Sequence, residues 1–153
     1  MNSQLFEILK IDDSILKKAS VDYSPSQAQT ESAFGYKWKM RSFYENDEIK
    51  IKQREWLIER YCGSDESVMN SWLEGSRKII LDAGCGAGYS GMIFWGDRIK
   101  DHYYLGVDIS SAVDVAKQRF TEAGLPGDFL KVSLTDIPVP ENSIDIIFSE
   151  GVL

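Results

Sequence analysis

The stretch KIILDAGCGAGYSG, residues 78–91, decides the fold of this chain. An apolar run from Ile79 to Leu81 ends in an aspartate, and glycines follow at positions 84, 86, 88 and 91. Glycine lacks a Cβ and accepts positive φ, so a glycine-rich turn lets a ligand approach the backbone closely. When a helix follows the turn, its first N–H groups point at that ligand. The stretch therefore predicts a buried strand, a ligand-binding turn and a helix.

The rest of residues 76–153 alternates short apolar runs with helical patterns. The predicted elements are strands at 78–83, 103–108, 129–133 and 143–149, and helices at 88–94 and 110–124, the second starting at a serine cap. Parallel strands joined by right-handed helical crossovers have this rhythm, and such sheets bind ligands at the carboxyl ends of their strands. We therefore predict an α/β fold with a doubly wound, mostly parallel sheet.

Residues 1–75 are rich in charged and aromatic side chains and poor in glycine, which predicts an N-terminal helical extension ahead of a sheet domain at 76–153. Apolar residues recur at helical spacing from 5 to 19. A second helix is predicted over 46–62, capped by Asn46 or Asp47, and a short third helix within 65–75. The apolar stripe of the second helix comprises Ile49, Trp56, Leu57, Tyr61 and Cys62.

The composition of the 153 residues narrows the class of protein. A net charge of −7 disfavours nucleic-acid binding over the whole surface. The N-terminus lacks the pattern of a signal peptide, and no apolar run is long enough to span a membrane. Two separated cysteines and one histidine, His102, predict neither a disulfide framework nor a metal site, and His102 is expected to be exposed. These features favour a soluble cytoplasmic protein.

Two sequence patterns compete for the glycine turn. The segment GAGYSG, residues 86–91, matches the dinucleotide fingerprint G-x-G-x-x-G. However, the glycine that directly follows the strand is Gly84, and counting from it places Tyr89 where the third motif glycine belongs. The segment LDAGCGAG, residues 81–88, resembles the first motif of class I S-adenosylmethionine-dependent methyltransferases, D-x-G-x-G-x-G.

Two further segments carry the same resemblance. YYLGVDIS, residues 103–110, is similar to the family's second motif, and SLTDIPVPENSIDIIFSEGVL, residues 133–153, is similar to its later stretch around the fourth strand. The resemblance covers residues 76–153. It implies a Rossmann-like sheet with strand order 3-2-1-4, S-adenosylmethionine as cofactor, and methyl transfer to an acceptor that the sequence does not identify.

Candidate cofactor-binding residues follow the carboxyl ends of the predicted strands. Asp108 ends strand two, where a carboxylate can accept hydrogen bonds from both ribose hydroxyls. The resemblance assigns Asp136 to the adenine amino group, Ile109 and Ile137 to the two ring faces, and Ser149 to the neighbourhood of the sulfonium. The remaining predicted cofactor contacts form the turn itself: Asp82, Ala83, Gly84, Cys85, Gly86 and Gly88. Gly91 is expected to be a helix-packing glycine, and Cys85 to be a small packed residue rather than a nucleophile.

The acceptor side is harder to assign. Glu150 is a candidate to favour the cationic sulfur, to act as a base, or simply to face water. Tyr36 and Trp38, with their aromatic neighbours, are candidates for a substrate lid or for packing on the sheet. No other catalytic residue is assigned.

The resembled fold has seven strands, and only four are predicted here, so the chain is expected to be the N-terminal portion of a longer domain. Strand four would then be an edge, with Ile144, Ile146, Ile147 and Phe148 poorly covered. We expect either homo-oligomers that associate through this edge or an N-terminal segment that folds over it. Two alternatives to a methyltransferase stay open. One is a catalytically incompetent module that binds S-adenosylmethionine or a partner, and the other is the NAD-binding domain of an oxidoreductase.

Overall fold

The computed structural model describes residues 3–12, 14–15 and 46–152. The strands are β1 (Ile79–Ala83), β2 (Tyr103–Asp108), β3 (Asp128–Lys131) and β4 (Ile146–Phe148). The α-helices bounded within these residues are α1 (Gln4–Ile8), α2 (Asp47–Cys62), α3 (Glu66–Trp72), α4 (Tyr89–Trp95) and α5 (Ala112–Glu122). Short 3-10 helices span Gly96–Asp101 and Leu134–Asp136.

The four strands form one parallel sheet in the order β3-β2-β1-β4, which confirms the predicted fold class and strand order. The central strand β1 pairs with β2 along its whole length, from Ile79 opposite Tyr103 to Ala83 opposite Val107. On its other side, Leu81 lies opposite Ile147 of β4. The carboxyl ends of β1, β2 and β4 therefore meet at one edge of the sheet.

Apolar side chains cover both faces of the sheet. On one face, α2, α3, α4 and α5 share a buried cluster with β1, β2 and β4, which includes Leu57, Met69, Phe94, Phe120 and Phe148. On the other face, the N-terminal segment packs against alternate strand residues, in a cluster of Leu5, Leu9, Ile11, Ile79, Leu81, Leu105, Val107, Leu130 and Val132. Alternation along each strand separates the two sets, as expected for side chains with a period of two.

The first predicted helix is too long. Helix α1 ends at Ile8, and Lys10 has a φ of 54°. The carboxylate of Asp12 then accepts hydrogen bonds from the N–H groups of Ser14 and Ile15, each at 2.9 Å. Ser14 and Ile15 are helical again, and an Asp side chain that accepts N–H groups two and three residues later is typical of a helix start, so the regular apolar spacing concealed a break in the helix.

The second helix confirms its predicted bounds, but its apolar stripe is only partly buried. The Asn46 Oδ1 accepts the Ile49 N–H at 2.8 Å, so Asn46 is the N-cap. Leu57 and Cys62 are buried, whereas Ile49 and Trp56 are exposed, because only the second half of α2 contacts the sheet.

The predicted serine cap of α5 is present, although Ser111 occupies the N-cap position: the Ser110 hydroxyl accepts the Ala112 N–H, the first of the helix. The predicted strand at 143–149 is too long, since the side chain of Asp145 turns back to accept the Ile79 N–H at 2.7 Å.

Among the described strands, β4 lies at one edge of the sheet, but it is better covered than expected. Phe148 is buried at 4% exposure, and Ile144 and Ile146 are half-buried. Only Ile147 stands out, at 68% exposure. Among the residues that the structure describes, no helix is long and apolar enough to cross a membrane.

Candidate functional site

The turn after β1 has the backbone that its glycines predicted. Gly84, Gly86 and Gly88 have φ values of 74°, 50° and 72°, in the left-handed region that residues with a Cβ rarely adopt. The N–H groups of Gly84 and Cys85 both donate to the Val107 carbonyl, at 2.7 and 3.0 Å. The turn is thus fastened to the end of β2 before helix α4 begins.

The glycines of this stretch serve two different purposes. A Cβ on Gly88 would lie 3.0 Å from the Cβ of Ala116, and one on Gly91 would lie 2.1 Å from the Tyr104 hydroxyl. These two glycines allow close packing against α5 and β2, which confirms the prediction for Gly91. Gly84 instead lies against the side chain of Val152, on the segment that follows β4.

Asp108 ends β2 and its carboxylate spans the gap to the glycine turn. One oxygen accepts the Gly86 N–H at 2.9 Å, and the other accepts the Ser110 N–H and hydroxyl at 2.8 and 2.7 Å. The side chain is therefore held in one orientation while the residue stays half-buried. Each carboxylate oxygen has two acceptor sites, so the oxygen that accepts only the Gly86 N–H keeps one site for a hydrogen bond from a ligand.

Asp82, at 2% exposure, is buried behind the turn and accepts a short hydrogen bond from the Tyr104 hydroxyl. Burial raises the pKa of Asp82 to about 7, the bond from Tyr104 opposes that rise, and the nearby charge of Asp108 adds to it. Burial likewise raises the pKa of Tyr104 well above its usual range, so the phenol remains a donor. Tyr104 was not singled out from the sequence, where it lies within an ordinary apolar strand.

Cys85 and His102 have structural surroundings. Burial raises the pKa of the Cys85 thiol well above its usual range, which suits a packed side chain rather than a nucleophile. The expectation that His102 is exposed is wrong: it is 8% exposed, and its Nδ1 accepts the Lys78 N–H at 3.1 Å. The sequence position at a strand start gave no sign of this backbone contact.

The predicted adenine-binding residues lie beyond β2 and β3 at the same edge of the sheet. Ile109 directly follows Asp108 and is half-buried. Asp136 is exposed and lies in the 3-10 helix that follows β3. Ile137 is half-buried and packs against the apolar cluster on the α1 face of the sheet.

The segment after β4, residues 149–152, is attached to the glycine turn and to α2. The Ser149 hydroxyl donates to the Ala83 carbonyl at 2.9 Å. The carboxylate of Glu150 accepts a short hydrogen bond from the Tyr61 hydroxyl, and its Oε2 lies 3.9 Å from the Arg60 Nε. The sequence pattern places Tyr61 only in an apolar stripe, and nothing in that pattern indicates a polar contact 89 residues away.

Tyr36 and Trp38, the predicted substrate contacts, lie outside the described residues. The other predicted site residues belong to segments at the carboxyl ends of the four strands.

The sequence of residues 80–153 matches the family described as "Methyltransferase domain". This part of the chain is class I methyltransferase-like. A curated relative, protein arginine N-methyltransferase 1 of Saccharomyces cerevisiae, is 36% identical over 75 residues, which are 48% of this chain and 21% of that protein. The chain thus spans about a fifth of the length of this relative.

Two solved structures align with parts of this chain. The YcgJ protein from Bacillus subtilis is 28% identical, with a TM-score of 0.44 over 54% of this chain and 36% of that one. The plantazolicin methyltransferase BpumL, in complex with S-adenosylhomocysteine, is 17% identical, with a TM-score of 0.46 over 89% of this chain and 50% of that one.

The methyltransferase-like part holds the glycine turn, Asp82, Asp108 and Glu150. Helix α2, with Arg60 and Tyr61, precedes the matched residues and reaches the same edge of the sheet.

Proposed function

We propose that the chain binds S-adenosylmethionine at the glycine turn and transfers its methyl group to an acceptor. The main support for this proposal is the hydrogen bond from the Gly86 N–H to the Asp108 carboxylate, within residues that match the methyltransferase family. This hydrogen bond supports a nucleoside-binding role, because it orients the Asp108 carboxylate at the carboxyl ends of β1 and β2, where sheets of this kind bind ligands.

The residues around the turn fit such a cofactor. Asp108 would accept a hydrogen bond from a ribose hydroxyl, and the exposed carboxylate of Asp136 would accept one from the adenine amino group. Ile109 and Ile137 would contact the ring. Asp82, behind the turn, would organise the methionine end of the cofactor through the backbone. The remaining contacts to the cofactor would come from Ala83, Gly84, Cys85, Gly86, Gly88 and Ser149.

S-adenosylmethionine supplies an electrophilic methyl group on a sulfonium, which is already an excellent leaving group. The protein therefore contributes mainly by orienting the two reactants, an effect worth up to about 7–11 kcal/mol in well-aligned cases. A base is needed only where the acceptor must lose a proton, and Glu150 is the candidate for that role.

For the acceptor, we propose a cationic nitrogen group of the arginine type as the first candidate. The name of the yeast relative supports this choice. So does Glu150, whose side chain is only 14% exposed near the carboxyl ends of β1 and β4, since carboxylates bind guanidinium groups by charge-assisted hydrogen bonds.

Calorimetric titration with S-adenosylhomocysteine, with NADH as the competing ligand, tests the cofactor assignment. Asp108→Ala should weaken S-adenosylhomocysteine binding by about 10–100-fold, since hydrogen bonds to a charged group contribute about 1.5–3 kcal/mol. Asp114→Ala, which removes an exposed carboxylate of α5, is the matched control and should leave the affinity unchanged. Asp108→Asn provides a second variant that preserves the side-chain shape.

The outcomes separate the proposal from its alternatives. Binding of NADH alone would favour the dinucleotide-binding domain of an oxidoreductase. Binding of S-adenosylhomocysteine without methyl transfer to any acceptor would favour a non-catalytic binding module. We extend the proposal to a cytoplasmic location, which the two free cysteines support.

A further inference from the structure

A polar contact joins the N-terminal extension to the segment that follows β4. The Tyr61 hydroxyl, near the end of α2, donates to the Glu150 carboxylate and lies 3.3 Å from the Ser149 carbonyl oxygen. Tyr61 and Glu150 take no part in strand pairing, because Tyr61 lies in α2 and β4 ends at Phe148. The contact therefore calls for an explanation beyond the fold.

The ring of Tyr61 is fixed by packing, which gives its hydroxyl a defined position. It meets the rings of Phe94 and Phe148 edge to face, with centroids 5.6 Å apart in each case. Burial raises the pKa of Tyr61, and the contact with Glu150 adds to the rise, so the phenol keeps its proton at neutral pH. Tyr61 is thus a rigid hydrogen-bond donor to the carboxylate.

Arg60 is a weaker partner for the same carboxylate. Its Nε lies 3.9 Å from Glu150, and its side chain is 56% exposed. Ion pairs with such solvent access contribute little, because water and salt screen them. The orientation of Glu150 therefore depends chiefly on Tyr61.

The opposite side of the same short segment touches the glycine turn. Ser149 donates to the Ala83 carbonyl, and the Val152 side chain lies against Gly84. Glu150 is consequently held between the candidate cofactor turn and α2. This is the edge of the sheet where an acceptor must approach the transferred methyl group.

We propose that Tyr61 is a positioning residue that orients the Glu150 carboxylate on the acceptor side of the site. The N-terminal extension would then supply part of the acceptor site, although it lies outside the family-matched residues. This inference rests on the proposed methyl-transfer function, and it adds an explanation of how the Glu150 carboxylate is held in its orientation.

A double-mutant cycle of methyl transfer tests the inference, with an arginine-containing peptide and its lysine counterpart as acceptor probes. Tyr61→Phe keeps the ring packing and removes the hydroxyl, and it should lower kcat about tenfold, since small misplacements of a reacting group are costly. Its effect should vanish in a Glu150→Gln background, because residues that act as a unit are not additive. Tyr103→Phe, which removes a hydroxyl at the far end of β2, should leave kcat unchanged.

Cofactor binding separates a failure of this inference from a failure of the proposed function. S-adenosylhomocysteine affinity should stay within twofold of the wild type in Tyr61→Phe. Binding with an unchanged kcat in Tyr61→Phe, or an equal loss with and without Glu150, would overturn the positioning role alone. Absence of S-adenosylhomocysteine binding to the wild-type chain would overturn the proposed function and this inference with it.

A spectroscopic readout decides the matter if the wild type methylates neither peptide. 3-Fluorotyrosine placed at position 61 should show a shifted fluorine NMR signal when S-adenosylhomocysteine saturates the chain. The same label at position 103 should not respond. An unresponsive signal at position 61, with binding shown by calorimetry, would place Glu150 and Tyr61 away from the reacting centre and overturn the inference.

Discussion

Asp82 should make the stability of this protein fall as pH rises through neutrality. Its carboxyl is 2% exposed, and burial raises its pKa from an ordinary 3.8 to about 7. Between these values the folded state keeps a proton that the unfolded chain has lost. Because the unfolded state then binds fewer protons, the free energy of unfolding decreases with pH across this window and levels off above it.

The size of the effect follows from the two pKa values. The difference between 3.8 and about 7 corresponds to about 4 kcal/mol over the whole window, at 1.36 kcal/mol per pH unit. Between pH 5 and pH 8 the expected decrease is about 2–3 kcal/mol, a large share of the free energy of unfolding of most domains, which is about 5–15 kcal/mol. Asp82→Asn removes the titrating carboxyl group, and the amide oxygen of the asparagine can still accept a hydrogen bond from the Tyr104 hydroxyl.

Urea unfolding of the wild type and of Asp82→Asn at pH 5, 6, 7 and 8 measures this difference directly. The wild type should lose about 2–3 kcal/mol relative to the variant from the lowest to the highest pH. Asp108→Asn should reduce the slope, because the Asp108 charge is one cause of the raised pKa. Asp114→Asn, at an exposed position, should not. Parallel curves for the wild type and Asp82→Asn would refute the reasoning.

Three further substitutions test how the elements are held together. Gly91→Ala places a Cβ 2.1 Å from the Tyr104 hydroxyl, so it should lower the free energy of unfolding by about 1–3 kcal/mol in urea titrations, and an unchanged value would contradict the packing role. Leu5→Ala truncates a side chain that is 1% exposed, so it should cost about 2–5 kcal/mol, whereas a loss below about 0.5 kcal/mol would mean that α1 does not cover the sheet in solution. Glu66 accepts two hydrogen bonds from Arg54, at 2.5 and 2.8 Å, which lower its pKa to about 2. Glu66→Gln should therefore cost about 1 kcal/mol at pH 7, because the pair is partly exposed, and this loss should shrink as pH falls from about 4.5 towards 2; an equal loss at pH 7 and pH 2 would exclude the ion pair as its cause.

The fold was predictable because its decisive signals are local. An apolar strand followed by positive-φ glycines has few other conformations available, so β1, its turn and α4 were located within one residue. The strand-end position of Asp108 followed from the same pattern. Its bond to the Gly86 N–H then emerges from the parallel pairing of β1 with β2.

The contacts that could not be predicted join residues far apart in sequence. Tyr104 lies opposite Ile80 and reaches Asp82 diagonally because of the register of β1 and β2, and a strand pattern does not reveal which side chains share a hydrogen bond. Tyr61 reaches Glu150 only because the end of α2 packs on the sheet. The start of α2 leaves Ile49 exposed, so helical periodicity alone overestimated how much of that stripe is buried.

Helix α2 makes both an apolar contact with the sheet and a polar contact with the segment after β4. Its last turns supply Leu57 and Cys62 to the buried cluster that covers the sheet, which fixes the helix axis against β1 and β4. Once the axis is fixed, Tyr61 on the same turns is carried to the edge where β4 ends, and its hydroxyl meets Glu150. The apolar packing of α2 thus brings the Tyr61 hydroxyl within hydrogen-bonding distance of Glu150. A sheet domain that lacked this helix would lose apolar cover and the orientation of its acceptor-side carboxylate together, so we expect stability and methyl transfer to depend on the same few residues.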